Sequence, residues 1–432
     1  MLDSAASPPV EAASTVPVLD LGGRSERSRS GSGGVVFLNW RDLRHPEGGG
    51  SELYVETVAA RLAASGEPVT VFCAAHDQAP RDEVREGVRY VRRGSHLTVY
   101  LWAALLGIGA RLGVSDRLGP HDVVVEVHNG VPFLARLWSS RPVLVLVHHV
   151  HREQWPVVFG PVVARLGWWL ESRVAPRVNR RNDYVAVSGV TRDELAGLGV
   201  ACERIAVVHN GTSPPQPTAT AKTPYPSVVV LGRVVPHKRV ELVLEAAAAL
   251  RGQLPGLQVD VAGDGYWLPV LRERVAELGL EDVVTLHGRV DEQHKADLLA
   301  RSWVQALPSL KEGWGLTVVE AGSHGTPSLA FRAAGGLAES IAHEDSGLLV
   351  DDVAGLQDAL RRVLTDRDLR ERLSEGARRR ASRFSWSGTT QAFAACLDAA
   401  RTQPRPRLAR APRARRPAAV QPSLSATSHL EE

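Results

Sequence analysis

Asn210-Gly-Thr-Ser-Pro-Pro-Gln-Pro-Thr-Ala-Thr-Ala-Lys-Thr-Pro-Tyr-Pro-Ser227-Val-Val-Val-Leu-Gly-Arg233 divides this chain. Proline fixes φ and has no N–H to donate, so the proline-rich part, 212–226, continues neither a helix nor a central strand and reads as a linker. Beyond it, Ser227–Leu231 is a short β-branched run closed by glycine, the pattern of a strand buried on both faces of a parallel sheet. Similar runs follow at 258–262, 283–287 and 304–307, with helices expected at about 239–251 and 268–278. Upstream they occur at 35–39, 68–73, 123–127, 143–147 and 184–187, again with helical stretches between them. Two blocks of alternating strands and helices around one linker predict two α/β domains. Parallel sheets bind ligands beyond the carboxyl ends of their strands, so the site is expected in the cleft where the domains face each other.

The length of 432 residues suits two such domains, and 44% hydrophobic with 23% charged residues excludes a wholly disordered, collagenous or multi-spanning chain. The net charge of +3 is uneven, because seven arginines from Arg401 onward against Glu431 and Glu432 give the end a local +5 and leave −2 on residues 1–400. The body is therefore not a basic nucleic-acid-binding surface. Residues 1–34 and 402–432 lack apolar periodicity and are expected to be disordered tails. A non-catalytic protein that binds nucleic acid or a membrane surface through the arginine-rich tail is the alternative function.

Cys73, Cys202 and Cys396 lie far apart without C-x-x-C spacing, and read as small buried apolar side chains in a reducing compartment. No signal-peptide pattern opens the chain. The longest uncharged stretch, 97–110, falls short of the roughly 20 residues a bilayer requires and is expected to be a buried helix, so a cytoplasmic protein is expected. Trp155, Trp168 and Trp169 flank an apolar run at 157–164, with Arg152, Arg165 and Arg173 nearby. Core packing is the favoured reading, and docking onto anionic lipid at the inner face of a membrane is the other.

Several motifs carry chemistry. Gly232-Arg233 and Lys238 follow the first strand of the second domain, and two cations at a strand end suit a diphosphate. Gly263-Asp-Gly265 closes a later strand with glycines that let backbone approach a ligand. The run from Pro308 to Pro327 joins a strand to a helix starting near Leu316, whose free N–H groups and positive dipole end suit an anionic or hydroxyl-rich ligand. Glu312 lies in the loop before that helix, with Gly313 and Gly315, and Glu320 lies in its second turn. In the first domain, Gly48-Gly-Gly50 forms a strand-to-helix turn able to present N–H groups to a phosphate or sugar. His148, His149 and His151 follow a buried strand, at a spacing poor for one tetrahedral metal ion.

Glu312 to Glu320 resembles the E-x7-E motif of the retaining glycosyltransferase family 4. Gly232-Arg233 with Lys238 resembles that family's G-R-x-x-x-x-K, and Leu286-His-Gly288-Arg-Val290 its F-x-G-x-V. Gly335-Gly336-Leu-Ala-Glu339 and Phe384-Ser-Trp386 also match family patterns. The resemblance implies a GT-B fold, two Rossmann-like domains whose parallel sheets face a central cleft. These would be an acceptor-side domain at 35–211, a nucleotide-sugar domain at 227–383, and a helix at 384–401 crossing back to the first domain. It implies a metal-independent, retaining hexosyltransferase without a cofactor, acting by front-face displacement. Its substrates would be a nucleoside diphosphate sugar donor and a hydroxyl acceptor, whether saccharide, lipid-linked or small molecule, and nucleic acid would not be a partner. Carried residue by residue, His148 and Glu312 are the expected catalytic residues, His148 contacting the donor sugar and Glu312 its hydroxyls. Arg233 and Lys238 would neutralise the diphosphate, and Glu320 would hold the ribose. Gly49, Gly50, Gly263, Gly265, Val290, Gly313, Gly315 and Leu316 complete the expected donor contacts. Arg41, His45, Glu126, His128 and Asn129 are expected on the acceptor side.

Overall fold

Every residue of Val143-Leu-Val-Leu-Val147 is buried, because helices cover both faces of the sheet it belongs to. The computed structural model describes residues 33–402, and the chain from Gly33 onward forms one unit. The tails expected at 1–34 and 402–432 lie outside the described residues except for Gly33, Gly34 and Thr402.

The first sheet holds β1 (Val35–Leu38), β2 (Val69–Cys73), β3 (Asp82–Arg85), β4 (Val88–Arg92), β5 (Val123–His128), β6 (Val143–Val147), β7 (Asp183–Ala186) and β8 (Ile205–Val207). Their spatial order is β3-β4-β2-β1-β5-β6-β7-β8, parallel except for the β3–β4 hairpin. The second sheet holds β9 (Ser227–Leu231), β10 (Gln258–Ala262), β11 (Val284–Gly288), β12 (Val304–Leu307), β13 (Ser328–Phe331) and β14 (Gly347–Val350), all parallel, in the order β11-β10-β9-β12-β13-β14. Chain direction reverses across the sheet between β1 and β5, and again between β9 and β12. Such switch points open a crevice at the strand ends. The β3–β4 hairpin escapes a search for buried runs because β3, Asp-Glu-Val-Arg, is a charged edge strand.

One face of the first sheet packs against α1 (Gly50–Ala64) and the final helix, Trp386–Thr402, with the Phe37 and Phe393 rings stacked at 5.9 Å. Arg401 anchors that helix to Asp122 at 2.9 Å and to Glu67, so the helix is part of the first lobe. The opposite face packs against α2 (Val99–Leu112), α3 (Ala135–Trp138) and the segment containing α4 (Trp155–Val158) and α5 (Pro161–Trp169). Residues 212–226 hold to the second lobe: Lys222 Nζ donates to Ser302 O and Thr326 Oγ1, both at 2.6 Å, and Thr220 Oγ1 to Asp297 at 3.0 Å. Between lobes, Glu339 accepts from the Gly189 N–H at 2.7 Å and bonds His209 at 2.6 Å, and Lys311 pairs with Glu194.

Three expectations need correction. The helix predicted over 97–110 forms as α2, but only one side is buried. Val99, Ala103 and Leu106 face the core, whereas Leu101, Trp102, Leu105 and Ile108 are exposed, because no further layer among the described residues covers that side. Trp169 and much of α5 are exposed for the same reason, while Trp155 is buried and donates to Glu171 at 2.7 Å. Among the cysteines Cys73 is buried, but Cys202 is exposed.

Candidate functional site

The carboxyl ends of β6, β9 and β12 converge on a cavity of about 320 Å³ lined by both lobes. A second hollow, about 420 Å³, lies beside the linker, away from these strand ends and lined by linker residues, Lys222, His324 and Arg378. The smaller one collects the chemistry.

The glycine loop before the helix Leu316–Ser323 is shaped by two requirements. Gly315 has φ 87°, a left-handed conformation that a β-carbon disfavours. A Cβ on Gly313 would lie 2.1 Å from the backbone oxygen of His148, so the loop of the second lobe rests directly on the end of β6. This contact brings Glu312 and His148, on different domains, into one cavity.

His148 is buried, with the Tyr54 ring edge-on at 5.4 Å. Burial lowers its pKa to about 4, against a smaller opposing pull from Glu52, so the ring is neutral near pH 7. Its Nε2 is buried with no hydrogen-bond partner among the described residues, as are Asn210 Oδ1 and Trp314 Nε1, and all three residues line the cavity. Buried polar atoms of this kind are usually satisfied, and here they suit the hydroxyls of a ligand. His149 bonds Gln154 at 2.9 Å and His151 bonds Glu171 at 2.9 Å, so the three histidines serve separate contacts.

His237 also has its pKa lowered to about 4, first by burial and then by Lys238 and Arg233. The folded values of His148 and His237 lie below the 6.5 of an ordinary histidine, so below about pH 6.5 the unfolded chain takes up protons that the folded chain resists until about 4. Stability therefore falls as the pH drops through this window. Melting temperatures measured from pH 7 to 4 are expected to decline, with a shallower decline in His237→Gln. An unchanged slope in that variant would contradict the assignment.

Glu312 accepts from Lys238 Nζ and from Ser309 Oγ at 2.7 Å. Burial pushes its carboxyl up, but Lys238 more than offsets this and holds it below the usual range. Glu320 accepts from Lys295 Nζ at 2.8 Å, and Lys295 also reaches Glu292 at 2.8 Å. Arg233 makes no ion pair among the described residues. Its pKa is lowered first by burial and then by the Arg41 guanidinium, yet arginine remains cationic. It points at Gly49, whose added Cβ would lie 3.6 Å from Arg233 Nε, while Gly50 packs on Leu316. The Gly49 N–H donates to Glu52 Oε2 at 2.8 Å, and buried Glu52 also forms an ion pair with Arg41 at 3.1 Å.

Gly49, Gly50, His148, Arg233, Lys238, Glu312, Gly313, Gly315, Leu316 and Glu320 thus line one cavity. Gly263, Gly265 and Val290 differ. Cβ atoms on the two glycines would strike the backbone oxygens of Gly232 and Val234, so these glycines serve loop-on-loop packing, and Val290 packs against the core around Val229. Glu126 is buried and accepts from the N–H groups of Leu134 and Ala135 and from His128, all at 2.9 Å, bracing the start of α3. His128 is occupied by that contact. Asn129 donates to Asn39 at 3.1 Å. Arg41 lies over Trp40 at 4.4 Å, and His45 packs on Trp40 and His76. Lys295, Asn210 and Trp314 also line the cavity and were missed as site residues. The scarcity of lysine in this arginine-rich chain was the available signal for Lys295.

Residues 48–216 match the family described as Glycosyltransferase Family 4, and residues 216–380 match that described as Glycosyl transferases group 1. A D-inositol 3-phosphate glycosyltransferase from Thermobispora bispora is 31% identical over 389 residues, covering 81% of this chain and 89% of that protein. The sucrose-phosphate synthase of Thermosynechococcus elongatus superposes with a TM-score of 0.70 at 20% identity, over 84% of this chain and 98% of that one. Anabaena HepE in complex with UDP-glucose superposes at 0.65 with 19% identity, over 84% and 99% of the two chains.

Proposed function

The chain belongs to glycosyltransferase family 4, has the GT-B fold, and on that premise we propose that it is a retaining, metal-independent hexosyltransferase moving a sugar from a nucleoside diphosphate donor to a hydroxyl acceptor. The observation that carries this reading is Arg233, a half-buried guanidinium with no carboxylate partner among the described residues, held beside Lys238 and the N-terminus of the helix Leu316–Ser323. That arrangement suits an anion with the charge of a diphosphate.

In this reading Arg233 and Lys238 stabilise the departing diphosphate, the large electrostatic contribution available without a metal ion. The bond from the anomeric carbon to the phosphate oxygen breaks, its electron pair leaving with the diphosphate. The acceptor oxygen bonds to the same face of that carbon, and its proton passes to the leaving phosphate oxygen. Neutral His148 supports this step because it can hydrogen-bond the sugar near the reacting carbon without adding positive charge there. Glu312 and the loop from Gly313 to Leu316 hold sugar hydroxyls, and Glu320 accepts from the ribose. No cofactor takes part. The three free thiols support a reducing, cytoplasmic setting.

Thermal-shift screening against nucleoside diphosphate sugars tests the donor class, since a ligand at 100 times its Kd adds about 2.7 kcal/mol of stability. The donor that stabilises is expected to be consumed in the presence of chelator, giving a product with the donor's anomeric configuration. Inverted product, or turnover abolished by chelation and restored by a divalent ion, would overturn the reading. The alternative that acts through the arginine-rich tail has no comparable support.

A further inference from the structure

Of the nineteen large apolar side chains exposed among the described residues, fifteen fall within residues 97–169, on the helices that cover one face of the first sheet and the loops beside them. On α2 the exposed positions are Leu101, Trp102, Leu105, Ile108 and Leu112, and on α5 they are Val162, Val163, Leu166 and Trp169. Both helices expose positions i, i+1, i+4 and i+7, a continuous stripe along one side. Their opposite sides are already occupied by the core: Val99, Ala103 and Leu106 from α2 and Trp168 from α5 pack on the same cluster as α3. The two helices are therefore apolar both toward the sheet and toward solvent. Soluble monomers rarely expose contiguous apolar surface on this scale.

The charge of this region is of one sign. Arg111, Arg117, Arg152, Arg165, Arg173 and Arg177 are exposed, whereas Asp116 is the sole exposed acidic residue between 97 and 181. Glu171 is buried, bonded to Trp155 and His151. We propose that the outward faces of α2 and α5 dock on the surface of a bilayer containing anionic lipid, the apolar stripes entering the boundary between headgroups and acyl chains and the arginines pairing with lipid phosphates. No helix among the described residues is long and apolar enough to cross a membrane, so the helices lie in the plane of the interface. A two-fold pairing of this face with a second copy would set the same arginines against each other, whereas an anionic surface complements them. Docking goes beyond the transferase reading and does not depend on it. It sets the lobe that carries His148 against the membrane.

The test is flotation of the full-length protein with vesicles of phosphatidylcholine alone or mixed with phosphatidylglycerol, at low and high salt, alongside sedimentation velocity without lipid. Binding at least about tenfold stronger to the anionic vesicles, weakened by salt, is expected. Leu105→Glu with Leu166→Glu should abolish it and leave donor turnover in lipid-free solution intact. If that pair fails to fold, Arg165→Gln with Arg173→Gln and Arg177→Gln decides, and is expected to weaken anionic-vesicle binding at least about fivefold. Absence of vesicle binding, binding indifferent to lipid charge, or unaltered binding by the folded variants would overturn the proposal. A wild-type dimer that Leu105→Glu with Leu166→Glu converts to monomer would overturn it in favour of a second copy. Inactive protein that still floats with anionic vesicles would count against the transferase reading alone.

Discussion

Replacing Lys238 with alanine is expected to lower kcat for sugar transfer by roughly 10²–10³, the range seen when one preorganised donor to a developing charge is removed. The substitution also leaves Glu312 with Ser309 Oγ as its remaining hydrogen-bond donor. A buried carboxylate deprived of its cation destabilises the fold, although side-chain exposures of 20% and 15% for Lys238 and Glu312 let water soften the effect. Two consequences separate on mutation. Lys238→Ala should lower both melting temperature and turnover, while Lys238→Met with Glu312→Gln should regain the melting temperature and stay inactive. If the paired variant recovered turnover together with stability, Lys238 would be a structural partner of Glu312 and not a stabiliser of the leaving group. Lys238 is paired with Glu312, so the proposed role requires it to turn toward the phosphates of the donor.

Glu320→Ala is expected to raise the donor Kd by roughly 10- to 100-fold, because hydrogen bonds to a charged group contribute about 1.5–3 kcal/mol each and the carboxylate would lose its ribose contacts. Its present partner is Lys295, which keeps Glu292 as a second carboxylate at 2.8 Å. Removing Glu320 therefore leaves no orphaned cation, and little loss of stability should accompany the loss of affinity. Titration calorimetry with the nucleoside diphosphate, which lacks the sugar, makes the decisive comparison. The weakening should be as large for the nucleoside diphosphate as for the intact donor. Weakening confined to the intact donor would place Glu320 against the sugar instead.

The two-lobed fold was legible in the sequence because parallel strands buried on both faces announce themselves as unbroken apolar runs. Val143–Val147 and Ser227–Leu231 appear in the structure with the boundaries read from the sequence. The edge strand β3 was not legible, since an edge carries charge and is specified by its neighbour β4. Within the site, Arg233, Lys238, Glu312 and Glu320 were singled out through the resemblance of their motifs to the family's, which is visible in sequence because one strand end and one helix N-terminus carry them locally. The surroundings of Glu126 were not legible, for the opposite reason. A carboxylate at a strand end looks available in sequence, and only the fold of the chain after β5 brings the N–H groups of Leu134 and Ala135 onto it.

The sequence by itself determined where the two α/β blocks lie and which side chains could meet a diphosphate. Local hydrophobic pattern and turn chemistry are properties of adjacent residues. The tertiary structure alone decided that Gly313 rests on the His148 carbonyl, that Lys295 belongs to Glu320, and that the outer sides of α2 and α5 remain uncovered. Each is a relation between distant segments. The same apolar run buries or exposes its second face according to whether another layer folds over it, and no periodicity within the run records that layer.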